Sequence, residues 1–376
     1  MLRSKYSYLI VGAGFTGATL AERLASQCDK KVLVIDKRSH IAGNAYDTRN
    51  EHGILFHQYG PHIFHTNSAI VVDYLSKFTD WMPYEHRVVG AIDGRMVPIP
   101  FNLTSLEILF PGVDSLHIKK LLIETFGMDK KVPILKMLDS EHQGVRDLAS
   151  FIYENVFSGY TKKQWGLKPE ELSPSVTARV PVHVSYDDRY FQDSFQKMPR
   201  EGYTRMFERV LAHPNISVSL NTAFEDVCHC VQYENLVFTG AIDEYFKFEL
   251  GELPYRSLTF EFQTYRLRRH QAVAQVNYPI SKDYTRISEM AHFTQEWGDR
   301  TTVAIEYPRA HVSGKTVPYY PIPRSENTEL HHRYLDFAKK EAPNVIFAGR
   351  LGDYQYYNMD QAVAGALTIF NRIRKS

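Results

Sequence analysis

The chain has 376 residues, and its 44 lysines and arginines nearly cancel its 43 aspartates and glutamates, leaving a formal charge of +1 with histidine neutral. No global excess of positive charge exists to condense on a nucleic acid or an anionic membrane, although a local basic patch is not excluded. Hydrophobic residues at 44% and charged ones at 23% mark a folded chain with a core and exclude a disordered one.

A chain of this length is expected to form roughly two to three domains. Its opening, MLRSKYSYLIVGAGFTGATL, is basic and then apolar, but the apolar run is too short to span a bilayer and is broken by glycines. Cys28, Cys228 and Cys230 are too few, and odd in number, for a disulfide framework, so a reducing cytoplasm is the expected compartment.

Tyr8 to Val11 form an apolar run ending in glycine, the pattern of a strand buried on both faces. Ala18, Leu20, Ala21 and Leu24 then recur at helical spacing, and Val32 to Ile35 make a second buried strand. So short a connection predicts a parallel strand-helix-strand unit. From His86 to Phe101, HRVVGAID and RMVPIPF flank the pair Asp93-Gly94, which predicts an antiparallel hairpin. Between Thr104 and about Phe157 the pattern is helical, with Val145, Leu148, Ala149, Ile152 and Val156 on one face. Short alternating stretches between Leu258 and Tyr320, among them SLTFEFQTY, QAVAQVNYP and TTVAIEYP, predict a mixed or antiparallel sheet with one covered face. NVIFAGR at 344–350 and the helix-like MDQAVAGALTIFNRI repeat the strand-loop-helix logic of the start. The expected fold class is α/β, with a Rossmann-like nucleotide-binding domain assembled from the discontinuous segments 1–85, 202–245 and 325–376. A helical insert is expected at 102–176, and a mainly antiparallel sheet domain from 86–101, 177–201 and 246–324.

Gly12-Ala13-Gly14-Phe15-Thr16-Gly17 fits G-x-G-x-x-G, follows a strand, opens a helix and is answered by Asp36 at the end of the next strand. Gly12 permits the tight turn, Gly14 lets the backbone approach a pyrophosphate at the helix N-terminus, and Gly17 allows close packing of helix on strand. Asp36 would accept hydrogen bonds from an adenosine ribose, which points to FAD or NAD and away from NADP. The continuation DKRSHIAGNAYD adds a second Gly-Asn turn that a nicotinamide enzyme would not need, and this favours FAD. The segment FAGRLGDYQYYNMDQAVAGAL supports it by offering a new helix N-terminus to the ribityl or flavin edge.

His62 and His65 stand three apart around a Gly-Pro turn without further ligands at metal-binding spacing, so a loop beside the flavin or a structural role is expected. Cys228-His229-Cys230 likewise lacks a fourth ligand, and no metal is expected. GYTKKQWG, residues 159–166, and RVPVHVSYDDRYF carry aromatic residues amid polar and basic ones; their irregular spacing with flanking glycines suits a ligand-facing loop on which a base stacks.

Taken in order, YLIVGAGFTGA, HQYGPHIFHT, GYTKKQWG, the R-x-P segment leading to YDDRYF, YTRISE, VPYYPI and GRLGDYQYYNMD make a distinctive set. The chain resembles the bacterial UDP-galactopyranose mutases over about residues 5 to 372. The resemblance implies a flavin-dependent isomerase that interconverts UDP-galactopyranose and UDP-galactofuranose through a reduced-flavin N5 sugar adduct and feeds cell-surface polysaccharide synthesis. It implies Arg179 and Arg286 as the arginine pair on the diphosphate, a use suited to guanidinium forks, and His65 as the histidine near the flavin. Tyr190, Tyr320 and Tyr356 match tyrosines whose hydroxyls reach the phosphates. Phe157, Tyr160, Thr161 and Trp165 lie where the family binds uridine, and His86, Asn277 and Asn358 match other substrate positions. For FAD, active in its reduced form, the resemblance implies Gly12, Gly14, Phe15, Gly17, Asp36, Lys37, Gly43, Asn44, His62, Ile63, Arg350, Met359, Asp360 and Gln361. It also implies an external reductant, a cytoplasmic homodimer, and neither nucleic-acid binding nor membrane insertion.

Several positions depart from the family pattern. Ala42 replaces the first glycine of a usual Gly-Gly and is expected to fit only where φ is negative. Asn358 stands where an aspartate is frequent, Val156 where an aromatic is common, His86 where an asparagine is frequent, and His183 where a second arginine can occur. These changes leave open a mutase preferring an N-acetylated UDP-hexose. Also open are a FAD-dependent oxidoreductase of the amine-oxidase type and a non-catalytic nucleotide-sugar binder.

Overall fold

The apolar run Tyr8 to Val11 ends the strand Lys5–Val11, which is the middle strand of a five-stranded parallel sheet in a computed structural model describing residues 5–167, 171–172 and 181–375. The strand order is Ile216–Ser219, Val32–Ile35, Lys5–Val11, Gln232–Phe238 and Val345–Phe347. Leu9, Ile10, Val32, Val34 and Ile35 are fully buried, as a parallel sheet covered on both faces requires. The first helix, Phe15–Cys28, joins the two strands predicted at the start of the chain. The last helix, Met359–Lys375, packs against it and buries Val363, Ala366 and Phe370, one face at helical spacing.

The chain divides into two compact units. The first comprises Met1–Pro83, Asp193–Tyr255 and Ser325–Ser376. It adds to the parallel sheet a three-stranded antiparallel one, in which Phe195–Pro199 lies between Phe64–Thr66 and Trp81–Pro83. The second comprises Tyr84–Gln192 and Arg256–Arg324. Its seven-stranded mixed sheet runs Tyr320–Pro321, Tyr255–Tyr265, Thr301–Ala310, Arg286–Glu289, Gln275–Asn277, Val88–Ile92 and Arg95–Ile99. Gln275–Asn277 pairs with Val88–Ile92 in parallel, and the two pairs flanking that junction are antiparallel. The predicted hairpin forms, with Asp93 at φ 48° and Gly94 at φ 72°, the left-handed pair that a type I′ turn needs.

The segments 86–101 and 102–176, expected in separate domains, lie in one unit. Val88, Ile92, Val97 and Ile99 of the hairpin share a single core with Leu106, Val145, Leu148 and Ile152 of the helices, so neither part buries its apolar face alone. The helical face predicted from Val145 to Val156 is buried throughout, and it continues from the helix Gln143–Ile152 into a wide π-helical turn, Tyr153–Ser158. Segments 193–201 and 246–255, expected with the sheet domain, fall in the first unit. Among the described residues no helix is long and apolar enough to cross a membrane.

Candidate functional site

In the first unit the strand Lys5–Val11 delivers Gly12 at φ 106°, with its N–H donating to the Ile35 carbonyl at 2.7 Å. A Cβ at Gly12 would stand 2.0 Å from Thr239 Oγ1, and one at Gly17 would stand 1.9 Å from the Gly12 carbonyl oxygen. Both positions therefore demand glycine on steric grounds. Gly14 is the N-cap of the first helix, has no side chain to cap it, and is followed by no acidic residue in the first turn. The leading amides are left for an external anion. Asp36 Oδ2 accepts from the Ala13 N–H and Oδ1 from the Arg38 N–H, both at 3.0 Å. Each oxygen keeps a second lone pair for a ribose hydroxyl.

Ala42 adopts φ 71° and ψ 0°, against the expectation of a negative φ. Its N–H donates to the Ala13 carbonyl at 2.9 Å, and the turn so fixed brings Gly43 beside Gly14, where a Gly43 Cβ would come within 3.0 Å of the Gly14 Cα. The left-handed conformation costs alanine about 1–2 kcal/mol; the hydrogen bond and the near-complete burial of the methyl group offset it. Asn44 Oδ1 accepts from Arg38 at 2.9 Å, Lys37 is exposed 3.8 Å from Glu244, and the Phe15 ring meets Phe207 edge-on at 4.8 Å.

Gly349 stands so close to the first helix that a Cβ would meet Thr16 Oγ1 at 2.9 Å. This places Arg350 beside the glycine turn, with its guanidinium donating to the Tyr357 carbonyl at 2.5 Å and lying 5.4 Å from the Tyr356 ring centre. Met359 opens the last helix, and Gln361 accepts from the Asn358 N–H at 2.9 Å. Asp360 accepts from Thr66 Oγ1 at 2.8 Å, which ties the strand carrying His65 to the same helix start. His65 Nδ1 is 2.8 Å from Asp193 Oδ2. His62 Nδ1 meets the Gly60 carbonyl at 2.8 Å, and the carbonyl preceding Ile63 accepts from Tyr203 at 3.2 Å.

In the second unit Asn277, Arg286 and Glu306 are register partners across three neighbouring strands. Arg286 Nε and Nη2 donate to Glu306 Oε2 at 2.8 and 2.5 Å, and Thr285 donates to Glu306 Oε1 at 2.8 Å. Glu306 is 1% exposed, whereas the Arg286 side chain keeps 21%. Burial alone would lower the Arg286 pKa; the Glu306 carboxylate, with Tyr160 and Tyr320, more than compensates and holds it above its usual range. Asn277 Oδ1 accepts from Gln275 at 2.9 Å, and the Trp165 and Tyr320 rings lie 6.2 Å apart.

Tyr160, Thr161 and Trp165 sit on the helix Gly159–Trp165. A Cβ at Gly159 would come 2.7 Å from the Pro279 carbonyl oxygen, and Lys163 donates to the carbonyls of Tyr278 and Lys282 at 2.8 and 2.5 Å. Arg256 donates to the carbonyls of Gln164 and Lys163 at 2.8 and 3.1 Å. These contacts fix the aromatic helix against the segment joining Asn277 to Arg286. Sequence reasoning missed Glu306, Thr285, Arg256 and Lys163; the detectable signal was a carboxylate inside the otherwise uncharged run TTVAIEYP. Phe157 is buried in the helical core. His86 is 2% exposed, bonded to Tyr84 at 3.0 Å and flanked by Phe191 and Phe293, while its carbonyl accepts from the Tyr190 N–H at 2.7 Å. Tyr356 and Asn358 belong to the first unit, and Arg179 lies outside the described residues.

A family model described as UDP-galactopyranose mutase matches residues 155–356, and one described as an NAD(P)-binding Rossmann-like domain matches residues 10–78. A Klebsiella pneumoniae protein named "Probable UDP-galactopyranose mutase" is 39% identical over 367 residues, covering 96% of this chain and 92% of that one. The chain belongs to the UDP-galactopyranose mutase family. It is therefore an enzyme by family, and the resemblance inferred from its motifs is shown. An Escherichia coli protein named dTDP-fucopyranose mutase is 35% identical over 367 residues, covering 96% of each chain. The crystal structure of a reduced UDP-galactopyranose mutase superposes with a TM-score of 0.75 at 14% identity, covering 98% of this chain and 94% of that one. Its likeness establishes the shared fold, and the predicted α/β, Rossmann-like class is what the chain adopts.

Proposed function

We propose that the chain is a flavin-dependent isomerase interconverting UDP-galactopyranose and UDP-galactofuranose, with FAD as its cofactor in the reduced form. The observation that carries the reading is Arg286, a partly exposed guanidinium held by a buried carboxylate and grouped with Tyr160 and Tyr320. That grouping suits a diphosphate, which accepts from a guanidinium edge and from phenolic hydroxyls at once.

The donor set of the first unit fits a dinucleotide. Uncapped amides and the bare backbones of Gly14 and Gly43 suit a pyrophosphate, and Asp36 suits a ribose. Gly12, Gly14, Gly17, Asp36, Gly43 and Arg350 would hold FAD, with the start of the last helix. Reduced FAD supplies a nucleophilic ring nitrogen to a reaction with no net redox change. Arg286 takes up charge on the departing UDP, Tyr160 and Tyr320 donate to phosphate oxygens, and Trp165 offers a face to the uracil ring. Arg179 is proposed as the second diphosphate arginine on sequence resemblance alone. Asp193 fixes the ring of His65. An external reductant, a cytoplasmic location and a homodimer complete the proposal.

The test is to incubate the FAD-loaded protein with UDP-galactofuranose and dithionite and to follow UDP-galactopyranose by chromatography. Conversion without consumption of an electron acceptor is expected. Failure under reduction, with FAD bound, overturns the reading; turnover confined to a dTDP-fucopyranose arm would transfer it to the activity named for the E. coli relative.

A further inference from the structure

The second unit carries a basic, aromatic surface built from residues not assigned above. After the strand Tyr255–Tyr265 the chain reads Arg266-Leu267-Arg268-Arg269-His270, and all five residues are exposed. Arg266, Arg268 and Arg269 form no ion pair among the described residues. The Arg269 guanidinium lies 4.7 Å from the Trp297 ring centre, and Arg268, Arg269 and Trp297 line an open depression of about 380 Å³. Leu267, between two of the arginines, is 50% exposed. The segment carrying Trp297 adds Glu296, Asp299 and Arg300, so four arginines still outnumber two exposed carboxylates.

This surface is built, not a loose tail. Glu289 is fully buried and accepts from the backbone N–H groups of His270 and Gln271 at 2.8 and 3.0 Å, pinning the chain just after the arginines. The Gln271 side chain donates to the carbonyls of Val273 and Ala274, and the His292 ring meets Trp297 edge-on at 4.8 Å.

We propose that this surface docks the protein onto an anionic lipid membrane, with the guanidinium groups on headgroup phosphates and Leu267 and Trp297 at the acyl boundary. Unpaired arginines alternating with an exposed leucine and an indole supply the two contacts such an interface offers, charge for the headgroups and apolar surface beneath them. A net charge of +1 gives no long-range attraction of the whole molecule, so the docking rests on this patch. Each arginine near an anionic surface strengthens partitioning about five-fold, and the three together about 100-fold.

The experiment is co-sedimentation of the FAD-loaded protein with vesicles of equimolar phosphatidylglycerol and phosphatidylcholine, and with vesicles of phosphatidylcholine alone. Partitioning about 100-fold stronger onto the anionic vesicles is expected, lost in high salt and unchanged by saturating UDP. The triple variant Arg266→Gln, Arg268→Gln, Arg269→Gln should fall to the phosphatidylcholine level with unaltered turnover and circular dichroism, and Leu267→Ser alone should weaken binding several-fold. Equal partitioning onto both vesicle types overturns the proposal. So does full binding by the triple variant, or displacement by UDP, which would assign the binding to the nucleotide-sugar residues.

Discussion

Replacing Glu306 by glutamine isolates the electrostatic part of the Arg286 arrangement. The amide oxygen can take the place of Oε2 and accept from Arg286 Nε and Nη2, while the amide nitrogen donates to Thr285 Oγ1, so the geometry survives and only the charge is lost. Two unit charges about 4 Å apart at an effective dielectric of about 20 attract by about 4 kcal/mol. The 21% exposure of Arg286 screens part of this, and breaking a buried pair costs about 3–5 kcal/mol, so a stability loss of about 2–3 kcal/mol is expected. At roughly 2–4 °C per kcal/mol that is a fall in Tm of about 5–10 °C. A diphosphate bound at Arg286 restores the missing negative charge, and UDP should therefore stabilise the variant by about 1–2 kcal/mol more than it stabilises the wild type. Thermal melts of both proteins with and without saturating UDP give the comparison. An equal UDP-induced rise in the two would refute the placing of Arg286 against the diphosphate, and an unchanged Tm would refute the energetic role of the pair.

Three further outcomes are expected. Gly17→Ala places a methyl group 1.9 Å from the Gly12 carbonyl oxygen, an obstacle that no rotamer change removes; the first helix must retreat by about 1 Å or more to restore contact distance, and flavin absorbance of the purified protein should be largely lost. Arg256→Met deprives the carbonyls of Gln164 and Lys163 of their donor, and at about 1–3 kcal/mol for uncompensated groups the KM for the nucleotide sugar should rise about ten-fold or more with FAD content unchanged. Burial pushes the Asp243 carboxyl up to about 6, above the usual unfolded value of about 3.9. Because the folded pKa is the raised one, this group's contribution is fully present below about pH 4 and declines by about 2–3 kcal/mol as pH rises through about 6. Denaturant titrations of Asp243→Asn should lack that decline relative to the wild type across the same range.

The parts of the fold that are legible in the sequence are those whose causes are local. The glycine turn, Asp36 and the first two strands fall within residues 5–36, where steric demand and hydrophobic period act on neighbours in the chain. Asp93-Gly94 likewise sets its own hairpin. Sequence pattern does not mark the strand Gln232–Phe238, although Leu236, Val237 and Phe238 repeat the buried run of the first strand, because its preceding residues alternate and dilute the signal. Domain number is obscured for a non-local reason: the hairpin and the helices are separable in pattern yet fill one core. Ala42 shows the same limit at one residue, since a carbonyl supplied by Ala13 decides its φ.

Arginine is where composition and structure diverge most. The near-balance of 44 basic and 43 acidic residues treats every arginine alike, but the described residues include three kinds. Arg286 is neutralised by a buried carboxylate and is held in place by it, so its value to a ligand lies in direction more than in net charge. Arg256 is buried against helix carbonyls, with burial lowering its pKa, and its charge is matched by the negative end of the aromatic helix. Arg266, Arg268 and Arg269 are exposed and without ion pairs among the described residues, so theirs is the charge that reaches solvent. A diphosphate site built from the first kind can be selective in a protein of net charge +1, because the carboxylate beside it keeps the site from attracting anions at long range. The loop arginines reach solvent, so the two surfaces proposed to bind anions are expected to separate under salt: screening weakens an exposed cluster far more than a guanidinium held by a buried carboxylate.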